Sequence, residues 1–308
     1  MTKNLPSFNN IWPKVRPVLQ WVIPIAIILL HLYFRHTVTR ILFFGYLIWG
    51  WSLLREKPAA LEVPEADIPT QDEEKIDLSA YYRTSGLSSL NPITLVQSLF
   101  QLYGESRIRK RYRATGLPSA QNFSQTLAYQ LPIDPADGWA IGSGGHSPEE
   151  SHSWEVLTQR YAYDFIAVDE EGKSYRNEGK QLTDYYCYGK PLLSPAAGKI
   201  VRVNDGVRDY PGVGDFSIDW KTRDFRGNFV VIQHAEQQYS FLAHLQAHRI
   251  PVKVGDQVEA GQVVGYCGNS GHSTEPHLHF HLQDHPNMWY GAGLPIWLAG
   301  IEDLKRVA

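Results

Sequence analysis

Five histidines, His272, His277, His279, His281 and His285, crowd into GNSGHSTEPHLHFHLQDH (268–285) of a 308-residue chain that has only 12. Three of them alternate with Leu278, Phe280 and Leu282. In a strand, successive side chains point to opposite faces, so His277, His279 and His281 share one face while the apolar three pack a core. Neighbours on that face lie ~6.6 Å apart, twice the rise per residue. That is too far for two adjacent imidazoles to chelate one ion comfortably. It suits one ligand beside one residue that faces the ion's water or the substrate. The plain alternative is an amphipathic strand whose polar face happens to be histidine.

The surrounding sequence supplies a scaffold for such a strand. GKIVRVND (198–205), GNFVVIQHA (227–235) and QYSFLAHL (238–245) alternate or run apolar between turn residues, and VKVGDQVEAGQVVGYCGNSG (252–271) alternates valines with glycine-marked turns. This is the texture of a β-rich domain beginning near residue 140. Ten of the 12 histidines lie after residue 145, so the chemistry belongs there. The two cysteines, Cys187 and Cys267, both follow aromatic strand residues and precede glycine-marked turns, which predicts that they lie close together. Whether they are bridged is left open.

The N-terminal part has a different composition. Residues 17–34, PVLQWVIPIAIILLHLYF, carry no formal charge, and RHTVTR leads from them into the apolar run 41–54. The first run is long enough to span a bilayer and the second is marginal. No small-residue cleavage site separates them. The expectation is an uncleaved anchor over 17–54, a helical hairpin, preceded by a tail over 1–16. An acidic, proline-bearing linker follows over 55–80, and a partly helical juxtamembrane region over 81–139 with a helix within 91–116. That helix ends in a basic run of Arg107, Arg109, Lys110, Arg111 and Arg113, either a solvated face or a contact for anionic lipid headgroups. The net charge of -3 gives no argument for nucleic acid.

SFLAHL, the 252–271 segment, STEPHLHF and LLSPAAGKIVRV together strongly resemble the lysostaphin- and LytM-like zinc metallopeptidases that cut peptidoglycan peptides, over about residues 140–296. The resemblance implies a mainly β fold, an antiparallel β-sheet groove with the metal on its floor, here joined to the N-terminal membrane-anchoring segment. The metallopeptidase domain is expected over 140–300, with a tail over 301–308. Residue by residue, it implies that His279 ligates zinc, that His277 and His244 are the catalytic histidines, and that Asp164 in QRYAYDF is the carboxylate ligand. One Zn2+ per chain would polarise the scissile carbonyl and lower the pKa of its bound water toward ~7.

One departure concerns the third ligand. The family usually has a histidine four residues before the aspartate, and here Arg160 stands there, whose guanidinium stays protonated. The candidates are His152, 12 residues before Asp164, and His146. A branch of the family with segments of the QRYAYDF type has a histidine about that far upstream, which points to His152. A site without a third protein ligand is the remaining alternative. The resemblance thus implies an endopeptidase acting on peptidoglycan stem peptides or cross-links. It would be held in the cytoplasmic membrane with its catalytic domain outside the cytoplasm, and a regulatory protein partner is left open. The competing expectation is a degenerate member of the fold that binds cell wall or activates a hydrolase. The 252–271 hairpins also resemble biotinyl and lipoyl carriers, but no lysine stands at a hairpin tip there.

Overall fold

The computed structural model describes residues 78–307, within the second of the two units, Pro69–Ala308, into which the chain divides. The expected anchor over 17–54 and nearly all of the expected linker lie outside the described residues. No helix among the described residues is long and apolar enough to cross a membrane.

Two helices come first, α1 (Ser79–Leu90) and α2 (Pro92–Arg111). Asn91 both ends the first and starts the second. Its extended backbone breaks the helix, its side-chain oxygen accepts the Ile93 N–H at 3.0 Å, and Pro92 occupies the first helical position, where a missing N–H costs nothing. The Asn91 amide also donates to the Trp220 and Thr222 carbonyls, tying the corner to the sheet domain. Gly104 is the close approach of α2: a Cβ there would lie 1.6 Å from the Trp289 carbonyl oxygen, so the contact requires glycine.

Twelve strands follow: β1 (Tyr129–Gln130), β2 (Trp139–Gly144), β3 (Tyr163–Ala167), β4 (Pro191–Leu193), β5 (Gly198–Asn204), β6 (Asn228–Ala235), β7 (Gln238–Leu245), β8 (Gln257–Val258), β9 (Val263–Tyr266), β10 (Leu278–Gln283), β11 (Gly293–Leu294) and β12 (Leu298–Ala299). The main sheet has eight strands in the order β2-β3-β10-β7-β6-β5-β8, with β11 added beside β10, and every pairing in it is antiparallel. The expected mainly antiparallel β fold is present.

Strand β10 lies inside this sheet, and its alternation works as expected on one side. Leu278, Phe280 and Leu282 are fully buried and pack with Phe165, Leu242 and Val230. The other face is not open to solvent. All six residues of β10 are buried, His281 and Gln283 completely. Phe241, Ala243 and Met288 belong to a second apolar cluster on the sheet, and the Phe241 ring stacks on His281.

The packing reaches past the boundaries expected at 140 and 300. Tyr129, Leu131 and Ile133 belong to the same core as β10, and β1 pairs with β12. Beyond residue 300, the Arg306 guanidinium donates to the Gly144 carbonyl at 2.8 Å, and the Val307 N–H to Ile141. At the other end, α1 already begins within the stretch expected to be linker. Backbone bonds set these limits, and composition does not record them. Cys187 and Cys267 are neighbours in the core, as their contexts predict, and both are free thiols. The Cys187 thiol donates to the Pro276 carbonyl at 2.9 Å, just before the histidine strand.

Candidate metal and catalytic site

The sheet register assembles the site. Asp164 on β3 is the cross-strand partner of His279 on β10, and Ala243 on β7 is the partner of His279 on the other side. Directly opposed side chains share a face and lie within contact distance. Asp164 Oδ1 is accordingly 2.9 Å from His279 Nδ1 and 3.8 Å from His277 Nε2.

His244 follows Ala243 and would normally point to the opposite face. A β-bulge prevents this: Ala243 pairs with Phe229 and Leu245 with Asn228, leaving His244 as the extra residue, at φ +63°. A bulge re-aims its side chain at a cost in backbone strain, and such strain concentrates at functional positions. The His244 ring lies 4.8 Å from that of His277, centroid to centroid. A second bulge, between Ile141 and Ser143, sets Ser143 opposite Asp164.

His152 reaches the same carboxylate from the loop after β2, with its Nδ1 3.3 Å from Asp164 Oδ2. Ser143 holds it there, its hydroxyl 2.9 Å from the ring Nδ1 and accepting the His152 backbone N–H at 3.2 Å. His146 is elsewhere, with its Nε2 3.0 Å from the Ile296 carbonyl and its ring against Trp297. Arg160 turns to the Trp154 carbonyl and lies over the Trp154 ring. All five expected site residues therefore meet, and of the two third-ligand candidates it is His152 that joins them.

Backbone carbonyls fix the tautomers of two histidines. A carbonyl only accepts, so His244 Nδ1, 2.7 Å from the Ser270 oxygen, carries the proton in the neutral ring. His277 Nδ1, 2.8 Å from the Glu275 oxygen, does the same. In the neutral tautomer so fixed, the lone pair of each ring is on Nε2. Burial, and then the neighbouring His277 and His279, push the pKa of His244 well below the ordinary histidine value, so it is neutral near pH 7.

A hydrogen-bonded chain runs along β10 behind His279. The Gln283 amide nitrogen donates to the His285 carbonyl at 2.8 Å, which turns its oxygen toward His281 Nε2 at 2.9 Å. His281 is held near pKa 3 by burial and by His279 beside it, so it is neutral, donates from Nε2 and accepts at Nδ1. His279 Nε2, 3.1 Å away, is then the donor to it. This leaves a lone pair on His279 Nδ1, facing an oxygen of Asp164 that only accepts. Two acceptors at 2.9 Å require a cation between them, a proton or a metal ion. Burial opposes ionisation of Asp164, but His277, His279 and His152 around it hold the carboxyl well below the usual range, so it remains an anion.

The donor set fits zinc. Two donors on one tetrahedral ion at ~2.0–2.1 Å lie ~3.3 Å apart, close to the separations of Asp164 from His152 and His279. Among the described residues no three His, Cys, Asp or Glu side chains are already arranged as a metal cage. The hydrogen-bonded chain behind His279 supports a test. His281→Phe keeps a ring against Phe241 and removes the acceptor for His279 Nε2. It is expected to weaken zinc affinity by ~10–100-fold in a competitive chelator titration, with an unchanged circular-dichroism spectrum.

Two cavities open from the site. One, of about 490 Å³, runs past Ser143, His277 and Glu275 to Tyr175, Tyr185 and Phe216. The other, of about 730 Å³, extends over His244, His272 and Phe225 and is walled by Ser88 of α1 and by Thr94 and Ser98 of α2. His272 lines this cavity and its Nε2 lies 2.8 Å from Ser88 Oγ. Tyr185 lines the first cavity, whereas the Tyr186 hydroxyl turns to Asp169.

Buried neutral histidines also set a pH dependence. The pKa of His272 is lowered by burial to about 4, that of His281 to about 3, and His244 lies well below 6.5. The unfolded chain takes up protons at these positions as pH drops through 6.5, and the folded protein does not. Stability present above 6.5 is therefore lost as pH falls, until His272 protonates near 4 and His281 near 3. Thermal melts of the metal-free protein should show Tm declining from pH 6.5 to 4, and a flat Tm over that window would contradict the assignment.

Residues 179–289 match the model of Peptidase family M23, and the chain carries a domain of these lysostaphin- and LytM-like peptidases. The glycyl-glycine endopeptidase ALE-1 of Staphylococcus capitis is 51% identical over 92 residues, covering 30% of this chain and 21% of that protein. The peptidoglycan DD-endopeptidase ShyA of Vibrio cholerae is 42% identical over 62 residues, covering 20% of this chain and 14% of that protein. The chain thus spans between 14% and 21% of the length of these curated relatives. The solved structure of lysostaphin from Staphylococcus simulans is 20% identical and covers 54% of this chain and 52% of that one, with a TM-score of 0.33. His244, His277 and His279 lie inside the family match, while His152 and Asp164 lie upstream of it.

Proposed function

We propose that the protein is a membrane-anchored zinc metalloendopeptidase that hydrolyses peptide bonds in peptidoglycan cross-links on the outer side of the cytoplasmic membrane. The observation that carries this reading is the meeting of His152 and His279 at the Asp164 carboxylate, beside His244 and His277, which line the adjoining cavity. One zinc ion, held by those three residues, would supply Lewis acidity toward a carbonyl and toward water.

The remaining groups have roles that follow from their tautomers. With Nδ1 bonded to a carbonyl, His244 and His277 can each take a proton at Nε2 from an attacking water. Once protonated, the same rings donate, to the developing oxyanion or to the leaving amine. The Ser270 and Glu275 carbonyls hold them in orientation through the cycle. An extended peptide would lie across the two cavities with its scissile bond over Asp164. The names of the relatives support peptidoglycan peptides as the substrate class.

The test is digestion of purified sacculi by the full chain, with zinc and with a chelator, followed by mass analysis of released muropeptides. Zinc-dependent release of peptide-cleaved fragments is the expected result. Stoichiometric zinc without cleavage would favour a cell-wall-binding or hydrolase-activating scaffold, and absence of bound zinc would remove the proposed chemistry.

A further inference from the structure

The helix pair α1–α2 leaves large apolar side chains exposed on its outer face. Toward the sheet domain, α1 buries Ala80, Thr84 and Ser88, and α2 buries Thr94, Gly104 and Ile108. Large apolar side chains face away. Leu95, Leu99, Leu102 and Tyr103 of α2 are 48%, 56%, 66% and 52% exposed, and Tyr82 and Leu90 of α1 are 54% and 64% exposed. Eight of the eleven large hydrophobic side chains exposed among the described residues fall between 78 and 103. The spacing of Leu95, Leu99 and Leu102 is that of one helix face, so this is a continuous stripe rather than scattered exposure.

The same face changes character along its length. One turn beyond Tyr103 it continues into Ser106, Arg109 and Lys110, all exposed, with Arg107 beside them. From 78 to 113 there are six basic residues and one acidic one, Glu105, in a chain whose net charge is -3. Arg111 is engaged with Asp284 and the Tyr290 carbonyl, so the outward cluster is Arg107, Arg109, Lys110 and Arg113. A leucine stripe ending in exposed cations is the composition of a helix that lies in a membrane interface, with apolar side chains among the acyl chains and cations at the headgroups.

We propose that the outer face of α1–α2 docks on an anionic lipid surface. The docking would set the distance and orientation of the catalytic groove relative to the bilayer. The occupant is argued from two features. The charge of the outward cluster complements anionic headgroups. The apolar run ending at residue 54, which follows the uncharged run ending at residue 34, precedes α1 by a stretch that reaches at most ~86 Å even when extended. A protein occupant would have to match both the leucines and the cations, and the acidic segment 55–75 offers charge without a comparable apolar run. The proposal does not depend on the peptidase reading, since none of these residues belongs to the proposed catalytic set.

Spin labels at Leu95→Cys, Leu99→Cys and Leu102→Cys, introduced singly into the full chain, provide the test. Cys187 and Cys267 are fully buried, so the unsubstituted chain is the labelling blank, and Val254→Cys is an exposed reference remote in sequence from the helices. The labelled chain is reconstituted into phosphatidylcholine–phosphatidylglycerol vesicles, and relaxation enhancement by oxygen and by a neutral nickel chelate is measured. Labels in a membrane interface gain oxygen accessibility and lose nickel accessibility relative to the label at 254, and that is the expected result. Persistent nickel accessibility would mean the face stays in water. Loss of both would mean that protein covers it, either a second copy or residues 1–77. Either outcome overturns the proposal. In phosphatidylcholine alone, or with Arg109→Gln and Lys110→Gln together, the labels should move outward. Equal depth in all three would overturn the headgroup part.

Discussion

Asp164→Ala is expected to yield a folded protein that binds no stoichiometric zinc and releases nothing detectable from sacculi. The carboxylate is the one group that His152, His277 and His279 all face. Its loss removes the carboxylate between these rings and leaves His279 Nδ1 without a partner. His279→Ala should match it, because the substitution removes another proposed donor from the same centre. His152→Ala should be about as severe, while His146→Ala, remote from Asp164, should bind zinc like the parent. Zinc content by mass spectrometry, with circular dichroism as a fold control, separates these outcomes. Full zinc occupancy in His279→Ala would show that the strand had been assigned the wrong role, and a ranking reversed between His152 and His146 would move the third ligand.

The second large effect is on turnover with the metal retained. His244→Ala and His277→Ala each remove a group that acts on protons, and each is expected to lower kcat by ~10²–10⁴-fold with zinc content unchanged. The double variant should be little worse than the worse single one if the two rings act on one proton in sequence. Loss of zinc in either single variant would make that histidine a ligand instead. Gln at either position restores a donor but no titratable nitrogen, so a variant that recovers activity with Gln would be acting through hydrogen bonding alone.

How far these residues were legible beforehand depended on whether alternation or backbone geometry placed them. His277, His279 and the apolar partners of β10 follow from period-two spacing, which a strand cannot violate without a bulge. His244 is such a violation. Its pointing toward His277 depends on its being the unpaired residue between Ala243 and Leu245, opposite the consecutive pair Asn228 and Phe229, and QYSFLAHL gives no sign of a bulge. His281 and Gln283 were already on the correct face by spacing, yet their role emerged only from the order of donors and acceptors along the strand. His152 was one of two candidates until the loop path placed Ser143 beside its ring. The helices resisted for a different reason: periodicity locates an apolar face, and the usual inference that this face points inward fails for α2.

The burial of β10 on both faces has a consequence for exchange and recovery. Its amides are bonded on both sides, to β3 and β7, in the interior of an antiparallel sheet. They can exchange with solvent only through sub-global or complete opening, so this strand belongs to the slowest-exchanging unit of the domain. The histidines on it are thus oriented by the last part of the protein to open. Stripping the metal should leave the exchange pattern of Leu278–Gln283 nearly intact. Activity should return on adding zinc at the speed of ion binding, without a folding step.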